Sequence, residues 1–319
     1  AEANRYLPWI LDAPLARGMT ESRDRTVPLD REDISDRLAA AGYIADRDIA
    51  TALWLMEFLK RPLLLEGDAG VGKTEVAKVL AAILATRLIR LQCYEGLDAH
   101  SAMYEWNYQR QLLAIKLLEH DERGIEQKEQ DIFSERYLLK RPLLEAISGE
   151  QPAVLLIDEI DRADEAFEAF LLELLSDFQL SIPELGTVRA TSRPLVVITS
   201  NGTRELSDAL RRRCLYQYID YPDYEKEFAI VRARAPEVAE ALARQIVAFV
   251  QAVRRMDLKK KPGIAETLDW TAALLRLEVN VIDADAAERI LETLSALIKT
   301  RDDRAAFPRE AVARLAAAC

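Results

Sequence analysis

The residues with the clearest chemical purpose are Gly67, Asp68, Ala69, Gly70, Val71, Gly72, Lys73 and Thr74, which fit G-x-x-x-x-G-K-[ST] at every fixed position. Before them runs Leu63-Leu64-Leu65, a short apolar stretch that reads as a buried strand. After them Val76, Val79, Leu80, Ile83 and Leu84 recur at helical spacing. A glycine-rich turn between strand and helix lets backbone N–H groups wrap a phosphate, and the helix N-terminus adds the positive end of its dipole. Lys73 would reach β- and γ-phosphates, Thr74 would hold Mg²⁺, and Glu75 follows directly. A chance glycine-rich turn is the plain alternative, and the flanking strand and helix count against it.

Three further groups belong with that loop. Val154-Leu155-Leu156-Ile157-Asp158-Glu159 is an apolar strand ending in two acids. Beside the first strand it places Asp158 near the metal, and Glu159 where it can orient and deprotonate a water attacking the γ-phosphate. An acidic strand end facing solvent is the bland reading. Asn201 ends another apolar run, Leu195 to Thr199; its amide can hold a water or a phosphate, or it can simply form a turn. Arg211-Arg212-Arg213 end a short helix capped by Ser207. Cations suit a helix C-terminus. They also suit a transition-state charge on a neighbouring subunit, with Arg213 favoured and Arg212 second.

The elements that must position these groups can be read coarsely. Helices are expected from Ser35 to Ala41, ended by Gly42, and from Asp46 to before Pro62 with Ile49, Leu53, Met56 and Leu59 on one face. A second strand is expected at Leu88 to Cys93, and a fifth at Leu215 to Ile219. Ala163 to Asp177 reads as a helix, and Leu180 to Arg193 as a hairpin. Residues 111–131 read as a helix striped by Leu112, Ile115 and Leu118, then an exposed loop beyond Gly124. Tyr104, Trp106 and Tyr108 read either as a substrate-contacting loop or as packing. From Asp223 only helical periods remain. The domains read as 1–30, an extension; 31–222, an α/β nucleotide-binding domain; and 223–319, a small all-helical lid.

Composition bounds the rest. The 319 residues are half hydrophobic, with 43 basic and 54 acidic residues and a net charge of −11, which argues against a general nucleic-acid binder. The basic run Arg254-Arg255 and Lys259-Lys260-Lys261 reads as a solvated helix end and loop. Cys93, Cys214 and Cys319 are widely spaced, without C-x-x-C, which points to a reducing compartment without disulfides or structural zinc. No apolar run approaches the ~20 residues of a membrane span, and no secretory signal is visible.

With these motifs in chain order the sequence resembles the AAA+ ATPases, and within them the MoxR family, over about residues 35–300. Gly67–Thr74 looks like Walker A, Ile157–Glu159 like the end of Walker B, Asn201 like sensor 1 and Arg213 like the arginine finger. LQCYEGLD, YEWNYQRQLL, LLSDFQLSIPELG and RRRCLYQYIDYP look more narrowly like the CoxD-type subgroup. The resemblance implies an α/β AAA+ P-loop NTPase with parallel sheet order 5-1-4-3-2 and a helical lid. It also implies ATP/ADP and Mg²⁺ as cofactors, hydrolysis between subunits of a homo-oligomer, commonly a hexamer, and chaperone-like maturation of a metalloenzyme client. For the subgroup that client is carbon monoxide dehydrogenase with its copper–molybdenum site, or a related molybdenum hydroxylase. Many relatives work with a von Willebrand A-domain partner. A cytoplasmic location is implied, with peripheral placement at the inner membrane through a partner left open. Tyr43 and Ile44 match the segment that contacts adenine, or pack against the core. One position departs: the lid arginine of the family pattern is Asp269 here, in Thr267-Leu268-Asp269-Trp270. An acid there feeds a second reading, an ATP-gated assembly scaffold with little turnover; a DNA-remodelling motor is a third, disfavoured by the charge.

Overall fold

The computed structural model describes residues 29–30, 32–118 and 124–319. The segment read as an N-terminal extension lies, apart from its last two residues, outside them. Five parallel strands form the central sheet: β1 (Leu63–Glu66), β2 (Leu88–Gln92), β3 (Val154–Asp158), β4 (Leu195–Ser200) and β5 (Leu215–Tyr218). Their spatial order is β2-β3-β4-β1-β5, the 5-1-4-3-2 arrangement. Side chains alternate across a strand, and both faces of the inner strands β1, β3 and β4 are covered, whereas the edge strands β2 and β5 expose Arg90, Tyr216 and Tyr218. Leu64, Leu155, Ile157, Val196 and Ile198 enter one apolar cluster with Phe167, Leu171 and Leu174 of the helix Glu165–Asp177. Leu63, Leu65, Val154, Leu156 and Val197 enter the other, with Val76 and Leu80 of the helix Lys73–Ile83 and Leu53 of the helix Arg47–Leu59. That double burial is why these three strands read as continuous apolar runs.

Two antiparallel ribbons sit outside the sheet: Gln179–Ile182 with Gly186–Arg189, and Tyr104–Trp106 with Leu138–Lys140. The second decides between the two readings of the aromatic segment, in favour of packing at two of its three positions. Tyr104 and Trp106 are buried in edge-to-face contact with each other, and only Tyr108 is exposed. Downstream, Tyr108–Leu117 is helical, but Leu112 and Ile115 face outward, so the apolar stripe is not a core stripe. Ile125–Ile132 is a helix where an exposed loop was expected. Leu59 is likewise exposed, at the end of its helix.

Beyond Tyr221 every element is a helix. Tyr224–Arg234, Glu240–Arg254 and Ile264–Arg276 pack with the shorter Ala287–Thr293 and Arg309–Ala317 around Val247, Phe249, Trp270, Ile290 and Leu294. The Phe249 and Trp270 rings lie 4.9 Å apart, and Trp270 Nε1 donates to Thr293 Oγ1. Arg254 is not part of a solvated helix end. It is 6% exposed and gives two hydrogen bonds, each 2.6 Å, to the fully buried carboxylate of Glu227.

Candidate nucleotide site

The loop after β1 turns through glycine conformations. Gly70 (φ +82) and Gly72 (φ +96) lie in the left-handed region. At Gly67 the limit is contact, because a Cβ would stand 2.2 Å from the carbonyl oxygen of Ile219. Lys73 begins the following helix, and its Nζ donates to the carbonyls of Gly67 and Asp68, both at 2.7 Å. Burial pulls its ammonium below the ordinary lysine value, against the pull of Asp161, Asp68, Asp158 and Glu159. A cation folded back on its own glycine loop at a helix start is an arrangement suited to a polyphosphate.

Across the loop, Thr74 Oγ1 donates to Asp158 Oδ1 at 3.1 Å. Between β1 and β3 lies β4, and its Thr199 joins the two sides. Thr199 Oγ1 donates to Asp158 Oδ1 at 2.5 Å and accepts from the Glu159 N–H at 2.9 Å. Asp158 Oδ2 accepts from Arg90 of β2, Nε at 3.0 Å and Nη2 at 2.5 Å. Glu159 takes a left-handed backbone (φ +56), which turns the chain off the strand, and Arg162 Nη1 donates to its carboxylate at 3.0 Å. A hydroxyl and a carboxylate in contact beside a phosphate cradle are the donor set of a Mg²⁺ site for a bound triphosphate, so the residues fit the metal.

Asn201 follows β4, and its N–H donates to Asp161 Oδ1 at 3.1 Å; its side-chain amide has no partner among the described residues. Burial raises the Asp161 carboxyl, but hydrogen bonds from the Thr203 hydroxyl and amide and from the Asn201 amide outweigh it and hold the group below its ordinary value. Tyr43 and Ile44 are half-buried, and burial pushes the Tyr43 hydroxyl far up, helped by Asp46 and by Glu75, which follows Thr74. Glu75 accepts from Arg234 at 2.6 Å, and Asp46 from Lys226 at 2.5 Å, so two ion pairs tie the first C-terminal helix to this edge.

The third C-terminal helix meets the loop itself. Ile264 N–H donates to the Gly70 carbonyl at 2.9 Å, and Gly263 packs against the Gly70 backbone. Asp269 is exposed on that helix, whereas Glu266 stands next to Gly70, its Oε2 3.2 Å from where a Gly70 Cβ would be. Arg212 and Arg213 do not reach the glycine loop of their own chain. They end a helix that leads into the start of β5, at the opposite end of the sheet.

Sequence reasoning missed Arg90, Thr199 and the Gly263–Gly70 contact. Arg90 left a trace, a cation inside an apolar strand. Thr199 and Gly263 left none, because their partners are distant in the chain.

Residues 62–214 match the model of the AAA domain, dynein-related subfamily. With the sheet order and the loop after β1, the fold is that of an AAA+ P-loop NTPase. The chain is similar to an uncharacterised protein of Staphylococcus haemolyticus, at 27% identity over 253 residues, covering 77% of this chain and 87% of that one. An uncharacterised protein of Staphylococcus epidermidis is 26% identical over 226 residues, 69% of this chain and 77% of that one. Among solved structures it is similar to a point mutant of RuvB from Thermotoga maritima, at 20% identity and a TM-score of 0.44, covering 86% of this chain and 72% of that chain. The Thermotoga maritima RuvB Holliday junction branch migration motor gives 20% identity and a TM-score of 0.42, covering 81% and 69%. No helix among the described residues is long and apolar enough to cross a membrane.

Proposed function

We propose that this chain is a Mg²⁺-dependent ATPase that works as a ring of like subunits. The observation that carries the reading is the contact of Thr74 with Asp158 beside a Lys73 held inside its own glycine loop. Bound Mg²⁺ supplies charge neutralisation at the β- and γ-phosphates. Thr74 and Asp158 hold it. Backbone amides from Gly67 to Gly72, with Lys73, hold the phosphates. Tyr43 and Ile44 flank the base. Glu159 orients the attacking water and takes its proton, Asn201 fixes water or γ-phosphate with its amide, and Arg213 or Arg212 meets the γ-phosphate of the adjacent subunit.

Two substitutions test this. Lys73→Ala is expected to lose nucleotide binding, and Glu159→Gln to bind Mg-ATP while turnover falls by ~10² or more. Wild-type turnover in either overturns the reading.

The cellular task we assign is finer: MoxR-type remodelling or maturation of a metalloenzyme, of the CoxD kind, with a copper–molybdenum or related molybdenum hydroxylase as client, a von Willebrand A-domain partner and a hexameric ring. Its support is the set of segments around β2, the Glu165–Asp177 helix and β5. Co-expression with such a hydroxylase and partner should give ATP-dependent gain of hydroxylase activity; identical activity with the Glu159→Gln variant speaks against it. One observation favours the alternative of a nucleotide-gated scaffold: the lid helix brings Glu266, an acid, to the phosphate loop. Steady-state turnover measured beside nucleotide-dependent particle mass separates the two.

A further inference from the structure

The three arginines that end the Asp208–Arg213 helix are used differently. Arg211 pairs with Glu66 at the end of β1, 3.5 Å away. Arg213 donates to Ser176 Oγ near the end of the Glu165–Asp177 helix. Arg212 is exposed and makes no side-chain hydrogen bond among the described residues. None of these contacts fixes the backbone on which Arg212 and Arg213 ride.

Arg61 fixes it. Its Nε donates to the Arg213 carbonyl at 3.1 Å, and its Nη2 donates to the carbonyls of Arg212 and Cys214, the latter at 3.1 Å. The last carbonyls of a helix have no partner inside it and carry the negative end of its dipole. A planar, permanently charged guanidinium can satisfy several of them at once, which the point charge of a lysine cannot do with the same geometry. Arg61 is itself pinned. Lys60 turns left-handed (φ +52) to end the Arg47–Leu59 helix, the Arg61 N–H donates to the Met56 carbonyl at 3.3 Å, and the next residue, Pro62, accepts from the Leu215 N–H at 2.7 Å. The fork therefore locks the arginine-bearing helix end to the start of β1.

The start of β1 is the end remote from the phosphate loop, with the four residues Leu63–Glu66 between. Arg61 has no route to its own chain's nucleotide. We propose that Arg61 is a positioning residue for the neighbouring subunit's site. It holds the backbone of Arg212 and Arg213 so that a guanidinium meets the γ-phosphate across the subunit boundary. This rests on the ring reading given above. It adds a physical link: the strand that carries a subunit's own phosphate loop at one end anchors, at the other, the cation that subunit offers its neighbour.

The experiment uses full-length protein and mixed rings. Arg61→Ala should bind Mg-ATP nearly as wild type and lose turnover by ~10²-fold, the effect of misplacing a catalytic group by about 1 Å. Arg61→Lys should not restore it. Mixing Arg61→Ala with Lys73→Ala subunits should recover turnover, to about a quarter of wild type for random 1:1 mixing, because an intact nucleotide site on one then faces a well-placed arginine on the other. A residue with a merely structural role would leave the mixture inactive. Such inactivity, or wild-type turnover by Arg61→Ala alone, overturns the proposal. The control mixture pairs an Arg212→Ala, Arg213→Ala double variant with Lys73→Ala. If the control recovers and the Arg61 mixture does not, the positioning role alone falls; if the control also stays inactive, the ring reading falls and the positioning role with it. Should Arg61→Ala fail to fold, Arg61→Lys enters the same mixture, with the same two outcomes.

Discussion

Adding a single methyl group at Gly263 should damage the proposed nucleotide site without substituting any residue assigned to nucleotide binding. Gly263 has φ −87 and ψ −172, a backbone open to any residue, so its lack of a side chain answers only to its neighbour. A Cβ there would stand 2.7 Å from the Gly70 Cα, 2.7 Å from its carbonyl oxygen and 2.8 Å from its carbonyl carbon. Ordinary carbon contacts lie near 3.5–4.0 Å, so loop and helix must separate by about 1 Å. The atoms met at Gly70 are loop backbone and cannot give way as the tip of a flexible side chain would. The Ile264 N–H bond to the Gly70 carbonyl, 2.9 Å, lengthens or breaks. Losing a bond worth about 1 kcal/mol from the closed arrangement weakens Mg-ATP binding by roughly five- to tenfold. A 1 Å displacement beside the phosphates lowers turnover by up to ~10².

Gly263 also precedes the Ile264–Arg276 helix at its N-cap, where alanine is a poor choice, so Gly263→Ala alone confounds the clash with a lost cap. Gly263→Ser separates them, since serine caps well but brings the same Cβ. Fluorescent-nucleotide titration and steady-state phosphate release on both variants give the answer. Equal defects in the two place the cause in the contact. Rescue by serine assigns it to the cap, and wild-type behaviour in both refutes the reasoning.

The buried Arg254–Glu227 pair should behave as a unit. Arg254→Met leaves a fully buried carboxylate without its cation and should lower stability by about 3–5 kcal/mol, while Arg254→Met with Glu227→Leu should recover most of that in urea unfolding. A double variant as unstable as the single one speaks against the pairing. Asp161 has a folded-state pKa below its ordinary value, so its contribution to stability is complete above the usual carboxylate range near pH 4 and is lost as pH falls through the folded value. The stability gap between wild type and Asp161→Asn should therefore be flat at neutral pH and close only on acidification; a gap that widens toward acid contradicts the assigned hydrogen bonds. Burial pushes the Cys93 and Cys214 thiols up to about 12 and that of Cys319 up to about 11. Alkylation of the native protein near pH 8 should be slow at all three and fast only after unfolding, as peptide mass mapping would show.

Structure that lives within one local stretch was legible from the sequence. The glycine loop, its strand and its helix need only nearest-neighbour geometry, so their types and spacing show in the string. The three inner strands were legible because a sheet covered on both faces demands unbroken apolar runs; the edge strands β2 and β5 showed instead as alternating runs, and the change to helical periods after Asp223 marked where the strands end. In residues 111–131 the first helix was legible, while the second, Ile125–Ile132, was read as a loop because its charged sequence carries no apolar stripe; helical spacing also left open whether the first stripe meets a core or solvent. Leu112 and Ile115 are exposed. Arg254 misled because a basic run at a helix end is usually solvated, and nothing local points to Glu227 inside another helix.

By itself, then, the sequence determined the glycine-rich turn between strand and helix, the acidic strand end and the αβ-then-α order, since each is written in neighbouring residues. Only the tertiary structure decided what joins them. Thr199 bridges to Asp158 because β4 lies between β1 and β3. Arg90 reaches Asp158 from the adjoining strand. Gly263 is a glycine because Gly70 lies against it, and Arg61 holds a helix end more than 150 residues away. Each of these depends on which strand lies beside which, a property of the packed sheet that no local spacing encodes.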